Sequence, residues 1–104
     1  MDQEYLEAVM GLIINSGNAK SDAMEAIYAA KASNFEEADA KIKSAEEALV
    51  QAHHAQTGLL TKEAQGEKLD ITLLTIHSQD HLMTSIAFTD LAKEIIDVHR
   101  KISA

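Results

Sequence analysis

The chain has 104 residues, with 17 acidic against nine basic side chains for a formal charge of −8, and contains neither cysteine nor proline. Disulfides, thiol nucleophiles and thiolate metal sites are thereby excluded, and the acidity opposes attraction to nucleic acid and to anionic lipid. The start has no basic leader and no apolar run approaches the roughly 18 residues of a membrane span, so the expectation is a single cytoplasmic domain over 1–104.

Helix formers dominate, with four glycines and 4% aromatic residues, and the pattern predicts an all-α protein. From about residue 3 to 32, Tyr5, Leu6, Val9, Leu12, Ile13, Ser16, Ala23, Met24, Ile27 and Ala30 recur at three- and four-residue steps, the spacing of a first helix. Gly11 and Gly17 interrupt it; close approach of a neighbouring helix is the expected reason, and a kink or a partner-docking surface is the alternative.

Asn34, followed three residues later by Glu37, reads as a capping box that starts the second helix. Phe35, Ala38, Ile42, Ala45, Leu49, Ala52, Gln56 and Leu59 then alternate by three and four, like the seam of a helical bundle. The seam turns polar at Gln56, with His53 beside it. Residues 62–68, around Gly66, read as a polar loop, and Asp70 is the expected cap of a third helix over 70–102. Short connections then give an antiparallel up-down-up three-helix bundle. In that topology Gln56, His77 and the Met10 to Ile14 stretch share one level.

The third helix carries the chemistry. Leu73, Leu74, Ala87, Phe88, Leu91, Ala92, Ile95, Val98 and Ile102 share a broad face, and His77, Asp80 and His81 fall in its middle. An unpaired buried carboxylate or imidazole costs several kcal/mol, so these groups need partners, ions or a task. The same helix is apolar on a second side, at Ile71, Ile76, Leu82, Met83 and Ile86. One bundle offers a helix one inner face, so the second surface predicts a homo-oligomer.

Three readings of the cluster stand at this point. A pair of histidines at i and i+4 with a carboxylate beside them can ligate a metal ion. The same groups can form a buried network in which Asp80 fixes the histidine tautomers and Gln56 satisfies a remaining group. An imidazole neutral near pH 7 can also attack a phosphoryl group and hold it as a phosphoramidate. Spacing does not choose between them.

The segment Ile76-His-Ser-Gln-Asp-His-Leu-Met-Thr-Ser85 closely resembles the active-site segment of the IIA component of the lactose/cellobiose (N,N'-diacetylchitobiose) type of sugar phosphotransferase system. The likeness extends to Met10-Gly-Leu-Ile-Ile-Asn-Ser-Gly17, to Ala52-His53 with Gln56-Thr57, and to Gly66-Glu67, in the same order. Ser78 stands where close relatives often carry Gly or Ala, and a longer N-terminal extension found in some relatives is expected to be absent.

The resemblance implies a homotrimeric nine-helix bundle and a carrier function. His77 would accept a phosphoryl group from HPr and pass it to a cysteine of the cognate IIB component during β-disaccharide uptake. His81 and Gln79 would support it. Asp80 would lie at the trimer axis, where three copies share a divalent ion, usually Mg2+; no nucleotide would be required, and membrane contact would come only through the permease complex. Met10, Leu82 and Met83 would form either the docking face for HPr or ordinary packing. The competing reading from a different class is a non-catalytic, metal-stabilised helical trimer or adaptor with structural histidines.

Overall fold

A computed structural model describes residues 2–103 and contains α1 (Gln3–Lys31), α2 (Phe35–Ala64) and α3 (Leu73–Ser103), with no strand among the described residues. Each helix has about 30 residues, which at about 1.5 Å per residue makes rods near 45 Å. They lie side by side in a body 54 × 20 × 20 Å, in the up-down-up order expected.

The boundaries follow from local chemistry. Asp2 caps α1 by accepting from the Tyr5 N–H at 2.7 Å. At the far end Ser33 adopts φ 61°, and the N–H groups of Ser33 and Asn34 return to the carbonyls of Ala30 and Ala29 at 3.0 and 2.9 Å. This closes the helix in a Schellman turn with serine where glycine is usual. Asn34 then caps α2 through the Glu37 N–H, and its amide donates to the Glu37 carboxylate at 3.0 Å. The capping pair is the one expected, but Glu37 engages the Asn34 side chain because the Asn34 N–H is already held by Ala29. At the end of α2, Gly66 at φ 91° makes a second Schellman turn, its own N–H reaching the Glu63 carbonyl and that of Glu67 reaching Lys62. Here a positive φ does require glycine.

The loop to α3 is 65–72 rather than 62–68, and Thr72, not Asp70, is the cap: Thr72 Oγ1 accepts from the Thr75 N–H at 3.2 Å. The Asp70 backbone carbonyl has another task. It accepts from the Tyr5 hydroxyl at 2.8 Å and from Thr75 Oγ1 at 3.3 Å. One buried tyrosine of α1 therefore holds the loop and the first turn of α3 together.

Packing departs from the sequence expectation on one point. α1 lies against both other helices, whereas α2 and α3 meet only sparingly. The α1 inner face is rich in alanine (Ala19, Ala23, Ala26, Ala30), and the face that α3 turns inward is Thr75, Ser78, Leu82, Ser85, Thr89, Ala92 and Ile96. Small side chains on both helices let their backbones approach closely. The broad apolar face is split: Ala92 is buried and Leu74 and Phe88 pack against the core, while Leu73, Leu91, Val98 and Ile102 point outward, 83%, 63%, 56% and 75% exposed. Of the second surface, Leu82 is fully buried, while Ile71, Ile76 and Met83 are exposed and Ile86 is half-buried. The larger unpartnered face of α3 is thus the one that contains His77 and Asp80.

Across the sparse α2–α3 contact, Arg100 pairs with Asp39 at 2.7 Å and Lys93 with Glu46 at 3.3 Å. Exposed pairs of this kind contribute about 0–1 kcal/mol each and weaken in salt.

Candidate functional site

The site begins at the Thr72 cap. Tyr5, Thr72 and Thr75 form a hydroxyl chain, with Tyr5 Oη 3.0 Å from Thr75 Oγ1 and Thr72 Oγ1 3.1 Å from it. This fixes the first turn of α3, and His77 follows within the next turn.

His77 and Asp80 stand on the outward stripe, their side chains 54% and 64% exposed, with Asp80 Oδ1 3.5 Å from His77 Nδ1. His81 turns back toward α1 and is half-buried. Its ring stacks on that of His77, the centroids 5.4 Å apart and the planes 14° from parallel, within the range of offset aromatic pairs. His77 therefore touches both of the residues that spacing placed beside it, but His77 and Asp80 face outward rather than into the core of one chain, and only His81 turns inward. A shallow open depression of about 560 Å³ borders them, lined by Leu73, Leu74, His77 and Asp80.

Gln79 points elsewhere. Its Oε1 accepts from Gln56 Nε2 at 2.8 Å, and its own Nε2 donates to Ser78 Oγ at 3.4 Å. Ser78 is fully buried and donates to the Thr75 carbonyl at 2.6 Å. Gln56 and the start of α3 do share one level, as the antiparallel topology required, yet Gln56 meets Gln79 and not the histidine pair. His53 belongs to a separate groove with Leu49, Val50, His54 and Ile86. Of the patch considered for docking, Leu82 is core, whereas Met10 and Met83 are 40% and 56% exposed.

Of the two glycines of α1, Gly17 meets a close neighbour: a Cβ there would lie 3.4 Å from His81 Nε2. Gly11 has open space around it, so helix approach does not explain that residue. Nearby at the α1 start, Lys62 bonds Glu4 at 3.0 Å, and this partner holds the ammonium pKa above its ordinary value. The Tyr5–Thr75 latch and the Gly17 niche were not legible as site features, because a tyrosine and a glycine in an amphipathic helix read as packing.

In one chain, among the described residues, no group of three or more carboxylates and imidazoles could hold a metal ion. Nor, among them, is any helix long and apolar enough to cross a membrane.

Residues 7–100 match the family described as the lactose/cellobiose-specific IIA subunit of the phosphotransferase system. The chain is 47% identical over 103 residues to the lichenan-specific phosphotransferase enzyme IIA component of Bacillus subtilis (strain 168), covering 99% of this chain and 94% of that one. It is similar to the crystal structure of the cellobiose-specific enzyme IIA from Bacillus anthracis, with a TM-score of 0.95, 47% identity and coverage of 99% and 94%. It is also similar to a chain of the IIA(chitobiose)–HPr complex of the Escherichia coli phosphotransferase system, with a TM-score of 0.85, 42% identity and coverage of 99% and 100%. With the three-helix fold and the His77 segment in place, these matches show that the chain belongs to the lactose/cellobiose IIA family, whose members are phosphotransferase components of sugar transport systems.

Proposed function

We propose that the protein accepts a phosphoryl group from phospho-HPr on His77 and passes it to a cysteine of its cognate IIB component during β-disaccharide uptake, working in the cytoplasm. The observation that carries this reading is the His77 imidazole itself: a half-exposed ring on the α3 surface, backed by His81 and paired on one side with Asp80. A carboxylate beside Nδ1 favours the tautomer with its proton there, and leaves the Nε2 lone pair as the nucleophile. A relative of known structure forms a complex with HPr, which supports HPr as donor.

In the forward step Nε2 attacks phosphorus in line, the bond from the donor histidine nitrogen to phosphorus breaks, and the electron pair stays with that nitrogen. In the return step the IIB thiolate attacks and the pair returns to His77. The protein's part is to hold the ring while the group moves, because misplacement of about 1 Å can cost a hundredfold. The acidic surface, with a formal charge of −8, favours rapid encounters with a basic carrier. The exposed Met10 and Met83 side chains would offer apolar contact to the carrier.

The uncovered α3 stripe supports assembly as a homotrimer. Positions 77, 80, 84, 87, 91, 95, 98 and 102 follow one another by three or four, close to the spacing of a coiled-coil seam. Such a seam carries a carboxylate at Asp80 in an otherwise largely apolar run. Three copies would bring three carboxylates together, an all-oxygen donor set that fits a hard divalent ion such as Mg2+. The ion would offset their mutual repulsion.

The test is reconstitution of both transfers. Phosphoenolpyruvate, enzyme I and HPr should load the protein, and IIB should unload it. Loading that persists when active IIB is added would contradict the carrier role.

A further inference from the structure

Resting on that reading of His77, we propose that Gly17 is a positioning residue for the phosphoryl-accepting ring, acting through His81. The His81 imidazole is held from two sides. On one, its Nε2 lies 3.4 Å from where a Cβ of residue 17 would stand; on the other, its ring stacks on His77. The α1 backbone is thus the floor, His81 the spacer and His77 the surface ring.

The contact is local and specific. Gly17 lies mid-helix, where glycine is the poorest choice apart from proline, and its backbone has no positive φ that would demand it. Gly11 and Gly58 are also helical, but nothing lies within 4 Å of a Cβ at either. Only the Gly17 neighbour is an imidazole of the site. The His81 backbone is fixed within α3, where Thr84 Oγ1 donates to its carbonyl at 3.3 Å. A side chain at residue 17 that extends beyond Cβ would therefore displace the His81 ring.

That displacement reaches His77, which on its other side has the Asp80 carboxylate 3.5 Å from Nδ1. With the stack gone, His77 keeps its surface position and loses the plane that orients it. In-line transfer is sensitive to such misorientation, whereas the bundle core, to which residue 17 contributes no side chain, is not.

The experiment compares wild type, Gly17→Ala and Gly17→Val, each as the full chain. Alanine stops at ordinary contact with His81, so Gly17→Ala should accept the phosphoryl group from phospho-HPr within about twofold of the wild-type rate. Valine reaches further, and Gly17→Val should lose roughly ten- to a hundred-fold in rate. Circular dichroism melts identify any variant that fails to fold. The measurement that a merely structural role would not move is made on the unphosphorylated proteins. Proton–proton contacts and ring-current shifts between His77 and His81 in NMR spectra should persist in Gly17→Ala and disappear in Gly17→Val.

An active wild type with an equally active Gly17→Val would overturn the positioning role alone, as would an unchanged His77–His81 ring signature in Gly17→Val. A wild type that accepts nothing from a working donor would overturn the carrier reading and this proposal with it. If Gly17→Val does not fold, the NMR comparison passes to Gly17→Ser. Its single additional oxygen should shift the ring signature and slow acceptance, and an unchanged signature would overturn the proposal.

Discussion

Truncating Leu91 to alanine separates the two faces of α3. The side chain is 63% exposed in the single chain and lies midway along the outward stripe. Complete burial of a leucine side chain is worth about 1.5–3 kcal/mol, so burying the exposed portion between copies is worth about 1–2 kcal/mol per chain. For three chains the loss is about 3–6 kcal/mol, and the trimer association constant should fall by roughly a hundred- to ten-thousand-fold. The fold of one chain should change by no more than about 0.5 kcal/mol, since the substitution is at its surface. Sedimentation equilibrium over a dilution series reads the first quantity, and chemical unfolding of the dilute chain reads the second. Identical dissociation curves for the variant and the wild type would refute the assignment of this stripe to the trimer interface, as would a wild type that stays monomeric at every concentration.

Leu82→Ala acts on the opposite face, where the side chain is fully buried; it should destabilise the fold by about 2–5 kcal/mol, seen as a lower urea midpoint in the dilute chain. Asp80→Leu should keep or strengthen trimers and make them indifferent to chelator, because it removes the repulsion together with the need for an ion; dissociation to monomers in the ultracentrifuge would show that the ion-mediated contact dominates instead. Tyr5→Phe removes the donor to the Asp70 carbonyl and the partner of buried Thr75. Its cost should be about 1–3 kcal/mol in urea unfolding, with faster amide exchange concentrated in 65–75 as the loop loosens.

The three helices were readable because their signals are local. Periodicity marked α1 and α2 along their length, and Asn34 with Glu37 marked the start of α2. The α3 start was misplaced by the same kind of argument, since Asp70 and Thr72 are both good caps and the tertiary bond from Tyr5 commits the Asp70 backbone. The inner and outer faces of α3 were not readable from hydropathy. Ser78, Ser85 and Thr89 are polar by composition yet buried to 1% exposure or less, because their small size lets α3 lie against the alanines of α1. The most apolar stripe was then left uncovered, and periodicity cannot distinguish a face buried in one chain from a face buried between chains. The proximity of His77, Asp80 and His81 followed from helical spacing alone. The contact of His81 with Gly17 spans two helices 64 positions apart in sequence, and no local pattern encodes it.

The central claim is that His77 carries the phosphoryl group, and intact-mass spectrometry tests it most directly. Wild type and His77→Gln are each incubated with phosphoenolpyruvate, enzyme I and HPr, with the donor relay shown to work in the same tube. The account predicts one phosphoryl group gained by the wild type only and lost in mild acid, as a phosphoramidate should be. A group gained equally by both would move the site to another residue, with His81 the next to test, and a wild type that gains none would contradict the account outright.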